Sequence, residues 1–360
     1  MLQLRQISLI QFKNYGSQTF SFDCPVIAIS GKNGVGKTNL LDAIYYLSFT
    51  KSYFGTGDQM QVKMGTYGFR LSGTFSLDEK HMNVDVILRE TGKKEISCNG
   101  APYEKFSEHI GRFPVVMIAP DDIELINGTA DIRRKFIDTI LCQTDEGYML
   151  TLIRYNKFLQ QRNSYLKQAA VLKNRDNDLL ETIDEQLANT GTYLYEKRKA
   201  FMPAFRDHIL NFYKDVAGKD EFIDVQYESQ LHGQNLIMLL QNSREKDYIT
   251  QRTQFGIHKD NLALLLDDQI FKTRGSQGQK KSLLFSLKLA EAITLEKTKS
   301  FSPILLLDDV FEKLDAGRME NLLEYICHRI KAQIFLTDTH PQRMRDIFEK
   351  LGKEIKEINI

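Results

Sequence analysis

Gly31-Lys32-Asn33-Gly34-Val35-Gly36-Lys37-Thr38 fits the spacing G-x-x-x-x-G-K-[ST]. The chemistry of that spacing is the holding of a phosphate chain. Glycines let backbone N–H groups turn inward around phosphates, where a side chain would block them. Lys37 would reach the β- and γ-phosphates, and the Thr38 hydroxyl would ligate Mg²⁺; Asn39 continues the same segment. Far downstream, Ile304-Leu305-Leu306-Leu307-Asp308-Asp309 is an apolar run ending in two carboxylates, a Walker B arrangement. It would bring Asp308 to the Mg²⁺ shell and leave Asp309 to hold or deprotonate an attacking water. A third group, Gly275-Ser276-Gln277-Gly278-Gln279, precedes a helical stretch. Serine and glycine at a helix start form an ordinary N-cap, and also an anion pocket. A chain with its own phosphate cradle has use for a second one if it caps the γ-phosphate held by another protomer.

These residues need particular elements behind them. Val26-Ile27-Ala28-Ile29 is a short, mostly β-branched run before the glycine loop, and Asn39–Leu47 places apolar residues at helical spacing after it. Strand, glycine loop and helix is the setting a phosphate site requires, because the helix adds its positive dipole end. Residues 1 to about 120 read mainly as strands, with Asn99-Gly100 a hairpin turn. Residues 122–215 carry helical periodicity and many charged side chains, broken at Lys173–Asp178. Strand-like runs return near Phe222–Tyr227 and Ala263–Leu266, and the last hundred residues alternate helix and strand.

Composition narrows the class. The chain has 360 residues, 42% hydrophobic and 26% charged, which suits two domains or one with a large insertion. No run approaches the length of a membrane span, and Met1–Ile10 alternates like a strand rather than a signal peptide. Four scattered cysteines (Cys24, Cys98, Cys142, Cys327) without a C-x-x-C pair argue against a zinc site and fit a reducing cytoplasm. The formal charge of +1 carries no global nucleic-acid signature.

The order P-loop, long insertion, S-x-G-Q, Walker B resembles the ABC-type ATPases, and Lys313-Leu314-Asp315 resembles their D-loop. The flanks narrow the resemblance to the RecF family, recombination-mediator ATPases related to SMC heads. Phe12-Lys13-Asn14-Tyr15, Ala119–Gly128, Arg133–Asp138, Gln160–Leu166, Phe255–Leu262, Ser276–Gln279 and Leu307–Asp315 match family segments in order over nearly the whole chain. Lys13, Asp42, Phe54, Ile257 and Lys259 depart from the family's usual arginine, glutamate, basic residue, proline and arginine. No Q-loop glutamine precedes Pro120. His340, in Thr337-Asp338-Thr339-His340, stands near the place of a γ-phosphate-sensing histidine and is equally well a surface residue; His258 reads as structural.

The resemblance implies an α/β, ABC-type P-loop ATPase head built from residues 1–120 and 255–360, with an inserted, mainly helical arm over 121–254. It implies ATP and Mg²⁺ as cofactors and weak ATP hydrolysis used as a conformational switch. It also implies an ATP-dependent homodimer that clamps double-stranded DNA near single-strand/double-strand junctions and promotes recombinase loading, with mediators such as RecR and RecO as partners and no membrane. Candidate DNA contacts are Arg133, Arg134, Lys135, Arg154, Lys157, Arg162, Lys197, Arg198 and Lys199. Against them, residues 131–214 hold 14 Lys/Arg to 11 Asp/Glu, a balance that also suits solvated helices. The rival classes are a transporter's nucleotide-binding subunit, a small-molecule phosphotransferase and another SMC-like head. A transporter subunit gives the charged insertion no role, and a phosphotransferase gives none to Ser276–Gln279.

Overall fold

The computed structural model describes every residue except 56, 173–174, 218–220, 310–315 and 340, so Lys313–Asp315 and His340 lie outside the described residues. Two compact units emerge: Met1–Ile123 with Asn211–Asp220 and Ser276–Ile360, and Glu124–Leu210 with Glu221–Gly275.

The first unit opens with β1 (Leu2–Ile10), β2 (Ser17–Ser21), β3 (Val26–Ser30) and α1 (Lys37–Phe49), followed by β4 (Phe69–Leu77), β5 (Lys80–Leu88), β6 (Lys94–Cys98), β7 (Ala101–Pro102) and β8 (Val115–Ile118). It closes with α9 (Gln277–Lys299), β12 (Ile304–Leu307), α10 (Ala316–Arg329), β13 (Ile334–Asp338), α11 (Pro341–Lys350) and β14 (Lys356–Asn359). One sheet is antiparallel, in the order β2-β1-β4-β5-β6-β7. The alternation of β1 skips a beat between Leu4 and Ile7, both buried, because a register shift against β4 falls between Leu4 and Gln6. Asn99 and Gly100, at φ 52° and 79°, turn the β6–β7 hairpin.

The other sheet is parallel, β14-β3-β13-β12-β8, and four of its five strands are buried from end to end. Covered on both faces, such strands read as continuous apolar runs. Gln333 ties the two sheets together: its buried side chain accepts from Leu4 N at 2.7 Å and donates to Leu4 O at 3.0 Å. In register, Leu307 lies beside Leu336, and Leu336 beside Ala28. The carboxyl ends of β3, β13 and β12 therefore finish nearly level, the usual place for a ligand in an open parallel sheet.

The second unit holds α2 (Glu124–Asn127), α3 (Ala130–Thr144), α4 (Glu146–Leu172), most of α5 (Asn177–Ala217), β9 (Ile223–Glu228), α6 (Leu236–Asn242), α7 (Arg244–Thr250), β10 (Asn261–Leu266), β11 (Gln269–Ile270) and α8 (Phe271–Arg274). Residues 255–275, expected with the head, cluster here, because β10 pairs along its whole length with β9. No described helix is long and apolar enough to cross a membrane.

Two arginines organise this unit. Arg162, fully buried, donates to Asp184 at 2.6 Å, to Asp247 at 2.7 Å and to Thr253 Oγ1 at 3.0 Å. Arg198, 2% exposed, donates to Asp138 and Asp260, both at 2.8 Å, to Tyr148 Oη at 2.9 Å and to the Ile257 carbonyl. Neither can meet a DNA phosphate, which corrects that expectation. Arg133 and Arg134 are half-buried and spent on Asn261 and on the Asp260 carbonyl. Lys135, Arg154, Lys157, Lys197 and Lys199 remain exposed, Lys197 in an ion pair with Asp145 at 2.7 Å. His258 is a satisfied structural histidine. Its Nδ1 meets Tyr155 Oη at 2.7 Å, its Nε2 meets the Thr253 carbonyl at 3.2 Å, and burial lowers its pKa to about 4.

Candidate functional site

The loop from Gly31 to Gly36 leaves β3 and enters α1 at Lys37. Gly31, at φ +156°, faces the end of the chain, where an added Cβ would come within 2.6 Å of the Ile360 carbonyl. Lys37 folds back across the loop and donates to the carbonyls of Gly31 at 2.8 Å and Lys32 at 3.1 Å. Lys32, Asn33 and Gly34 are exposed, and Val35 is half-buried.

Asp308 follows β12 and is 3% exposed. Thr38 Oγ1 lies 3.0 Å from both of its carboxylate oxygens, although 270 residues separate the two in sequence. Burial raises the Asp308 pKa, the Thr337 and Thr38 hydroxyls act against that rise, and the Asp309 charge adds to it. Thr337, at the end of β13, was not foreseen as a site residue. Its hydroxyl donates to Asp308 Oδ1 at 2.8 Å and accepts from the Asp309 N–H at 2.9 Å. Asp309 sits at φ 46°, a left-handed conformation uncommon outside glycine.

Outside the loop, Asn14 Nδ2 donates to the Val35 carbonyl at 2.7 Å and Tyr15 Oη to the Gly36 carbonyl at 2.9 Å. Asn39 donates to Asn14 Oδ1 at 2.8 Å.

Ser276, Gly278 and Gln279 form the start of α9. Ser276 Oγ accepts from Gln279 N at 3.2 Å and Gln279 Oε1 accepts from Ser276 N at 2.8 Å, a complete capping box. Among the described residues no hydrogen bond joins Ser276 or Gln279 to the glycine loop. The first turn still leaves the N–H groups of Gln277 and Gly278 without intrahelical partners.

Three of the departures from the family pattern prove to be neighbours. Lys13 Nζ lies 2.5 Å from the Asp42 carboxylate, which is fully buried, and 5.2 Å from the centre of the Phe54 ring. Lys13 is thus committed inside the head, and Phe54 turns its aromatic face to the same ammonium.

Asp42 also begins a buried polar chain: it accepts from Ser52 Oγ and from Tyr53 N, both at 2.8 Å. Tyr53 Oη donates to Asp122, and Lys288 of α9 donates to Tyr53 Oη at 3.0 Å and lies 3.4 Å from Asp122. The buried Glu291 Oε2 is 3.9 Å from Lys288 and makes no hydrogen bond among the described residues. Burial raises the Glu291 pKa to about 7, with Lys288 pulling it down and Asp122 pushing it up. A carboxyl raised by folding contributes stability that is fully present below its unfolded value and is lost as pH rises through about 7. His109 and His258, both lowered to about 4 by burial, act oppositely below neutrality. Measured against Glu291→Gln, which keeps both histidines, the unfolding midpoint of wild type is therefore expected to fall by about 2–4 °C between about pH 5 and 7. Parallel midpoint-versus-pH curves for wild type and Glu291→Gln over that interval would refute the assignment.

A P-loop between β3 and α1, a Walker B carboxylate just after β12 one strand removed and a capped helix at Ser276 define an ABC-type ATPase head. A family model described as the RecF/RecN/SMC N terminal domain matches residues 3–357. The chain belongs to the RecF family of DNA replication and repair proteins. The DNA replication and repair protein RecF of Flavobacterium johnsoniae is 38% identical over 359 residues, covering 100% of both chains. A solved structure of the recombination mediator protein RecF–ATP in the RecFOR pathway superposes with a TM-score of 0.87 at 30% identity, covering 94% of this chain and 92% of that one. An Smc head domain from Pyrococcus furiosus, at 16% identity, covers 99% of this chain and 93% of its own with a TM-score of 0.55, a likeness of fold alone.

Proposed function

We propose that this chain binds ATP with Mg²⁺ at Gly31–Asn39 and Asp308 and uses its slow hydrolysis to time the closing of two heads on DNA. The observation that carries the reading is the meeting of Thr38 and Asp308 at 3.0 Å beside the Lys37 ammonium. A hydroxyl and a carboxylate are hard oxygen donors, few in number, and so fit a Mg²⁺ that takes its remaining ligands from phosphate and water. When bound, Mg²⁺ would neutralise charge developing on the phosphates. Lys37, freed from the Gly31 and Lys32 carbonyls, would turn to the phosphates. Thr337 holds the Asp308 carboxylate and the Asp309 main chain, and Asp309 would orient the attacking water.

Ser276 and Gly278 of a second protomer would cover the γ-phosphate with the open N–H groups at the start of α9. ATP would then favour the dimer and ADP release it. The dimer would clamp duplex DNA beside single-strand gaps in the cytoplasm, with exposed cations such as Lys135, Arg154 and Lys157 facing phosphates. Mediators of the RecR and RecO kind would act with it to load recombinase.

Sedimentation with ATP tests the composite site. Ser276→Arg should stay monomeric, Lys37→Arg should lose turnover, and mixing the two should restore activity through the one intact site of the mixed dimer. Normal ATP-driven dimerisation of Ser276→Arg would sink the two-protomer model.

A further inference from the structure

The glycine loop is braced from outside. Asn14 Nδ2 holds the Val35 carbonyl, and the Gly36 carbonyl receives both Tyr15 Oη at 2.9 Å and the α1 amide of Leu40 at 3.0 Å. Asn14 is itself fixed from two directions. Its side-chain oxygen accepts from Asn39, and its main-chain carbonyl accepts from Lys63 Nζ at 2.6 Å. Gly36 has no space for a side chain, since a Cβ would lie 2.6 Å from Asn14 Nδ2, and its φ of +120° suits glycine alone.

In a trans peptide unit the N–H points opposite to the C=O, and among the described residues no peptide bond is cis. Turning the Val35 carbonyl toward Asn14 therefore turns the Gly36 N–H away from it. Turning the Gly36 carbonyl toward Tyr15 does the same for the Lys37 N–H. We propose that Asn14 and Tyr15 are positioning residues that set the Gly36 and Lys37 amides for a phosphate chain before any nucleotide arrives.

The inference rests on the nucleotide site proposed above and assigns to two residues of the β1–β2 connection a share of its affinity. Donors already aimed at a ligand cost nothing to reorder when it binds. Burial pushes the Tyr15 hydroxyl up to about 12, so it remains a donor throughout the physiological range.

Tyr15→Phe keeps the ring, which packs edge-on against Phe20, and deletes only the donor. Asn14→Asp keeps the shape and sets an acceptor against the Val35 carbonyl. Calorimetric titration of each folded variant with ATP and with ADP, beside thermal unfolding without nucleotide, separates bracing of the site from support of the fold. Tyr15→Phe should weaken both nucleotides about fivefold and Asn14→Asp about tenfold or more, by similar factors for ATP and ADP. The unfolding midpoint without nucleotide should stay within about 2 °C of wild type. Wild-type affinity in both variants overturns the proposal, as does a loss of unfolding midpoint with wild-type affinity in the folded fraction at low temperature. If wild type itself takes up neither nucleotide, the underlying site is wrong and the brace falls with it; wild-type binding with unaffected variants removes the brace alone.

Discussion

Asp308→Asn is expected to lower Mg²⁺-dependent ATP turnover at least about a hundredfold without loss of thermal stability. The two halves of that outcome have separate causes. The substituted amide would keep one oxygen for the Thr38 and Thr337 hydroxyls, so the local hydrogen bonds survive. The carboxylate it replaces is 3% exposed and burial opposes its charge, so an amide of equal size removes a cost to folding. What the amide cannot supply is the negative oxygen that the proposed Mg²⁺ needs. A coupled ATPase assay over a Mg²⁺ titration, run beside a melting curve, decides the matter. Turnover near wild type would remove Asp308 from the metal shell, and a collapse of stability would make it a structural residue.

Arg162→Met should destabilise the arm by about 3–5 kcal/mol, because it strands two buried carboxylates, Asp184 and Asp247, that share one guanidinium. Arg244, 3.1 Å from Asp184, answers only one of them. Combining Arg162→Met with Asp184→Asn and Asp247→Asn should recover much of the loss, since the cost lies in unpaired charge more than in missing contacts. Denaturant unfolding reads both changes. A DNA contact at the same position would instead leave stability alone and reduce the salt dependence of binding by about one unit. A stable Arg162→Met with weakened DNA binding would reverse the assignment.

Much of the head was legible in the chain because its signals are local. The glycine loop needs its residue types at fixed spacing, and buried parallel strands such as Ile304–Leu307 announce themselves as apolar runs. What escaped were meetings that only topology creates. Thr337 reaches both Walker B residues because β13 lies between β3 and β12, an order no local pattern encodes. Lys13 and Asp42 are unremarkable apart, and only the fold brings them together as an ion pair. β14 carries only Ile358 as an apolar residue, too little for a period to register. Arg162 and Arg198 sit on helices whose charge suggests solvation, and only three-dimensional packing reveals them as interior ions.

The placement of β3 carries a consequence in time. Both neighbours of this strand, β13 and β14, are made about 300 residues after it. At usual ribosomal speeds of roughly 5–20 residues per second, β3 waits on the order of 15–60 seconds for its sheet. Until then an apolar segment stands without pairing partners, a natural client for a chaperone. A nascent or prematurely terminated chain would own the glycine loop yet lack the strands that seat it. On this order of synthesis the strand before the glycine loop gains its sheet only after β13 and β14 have been made.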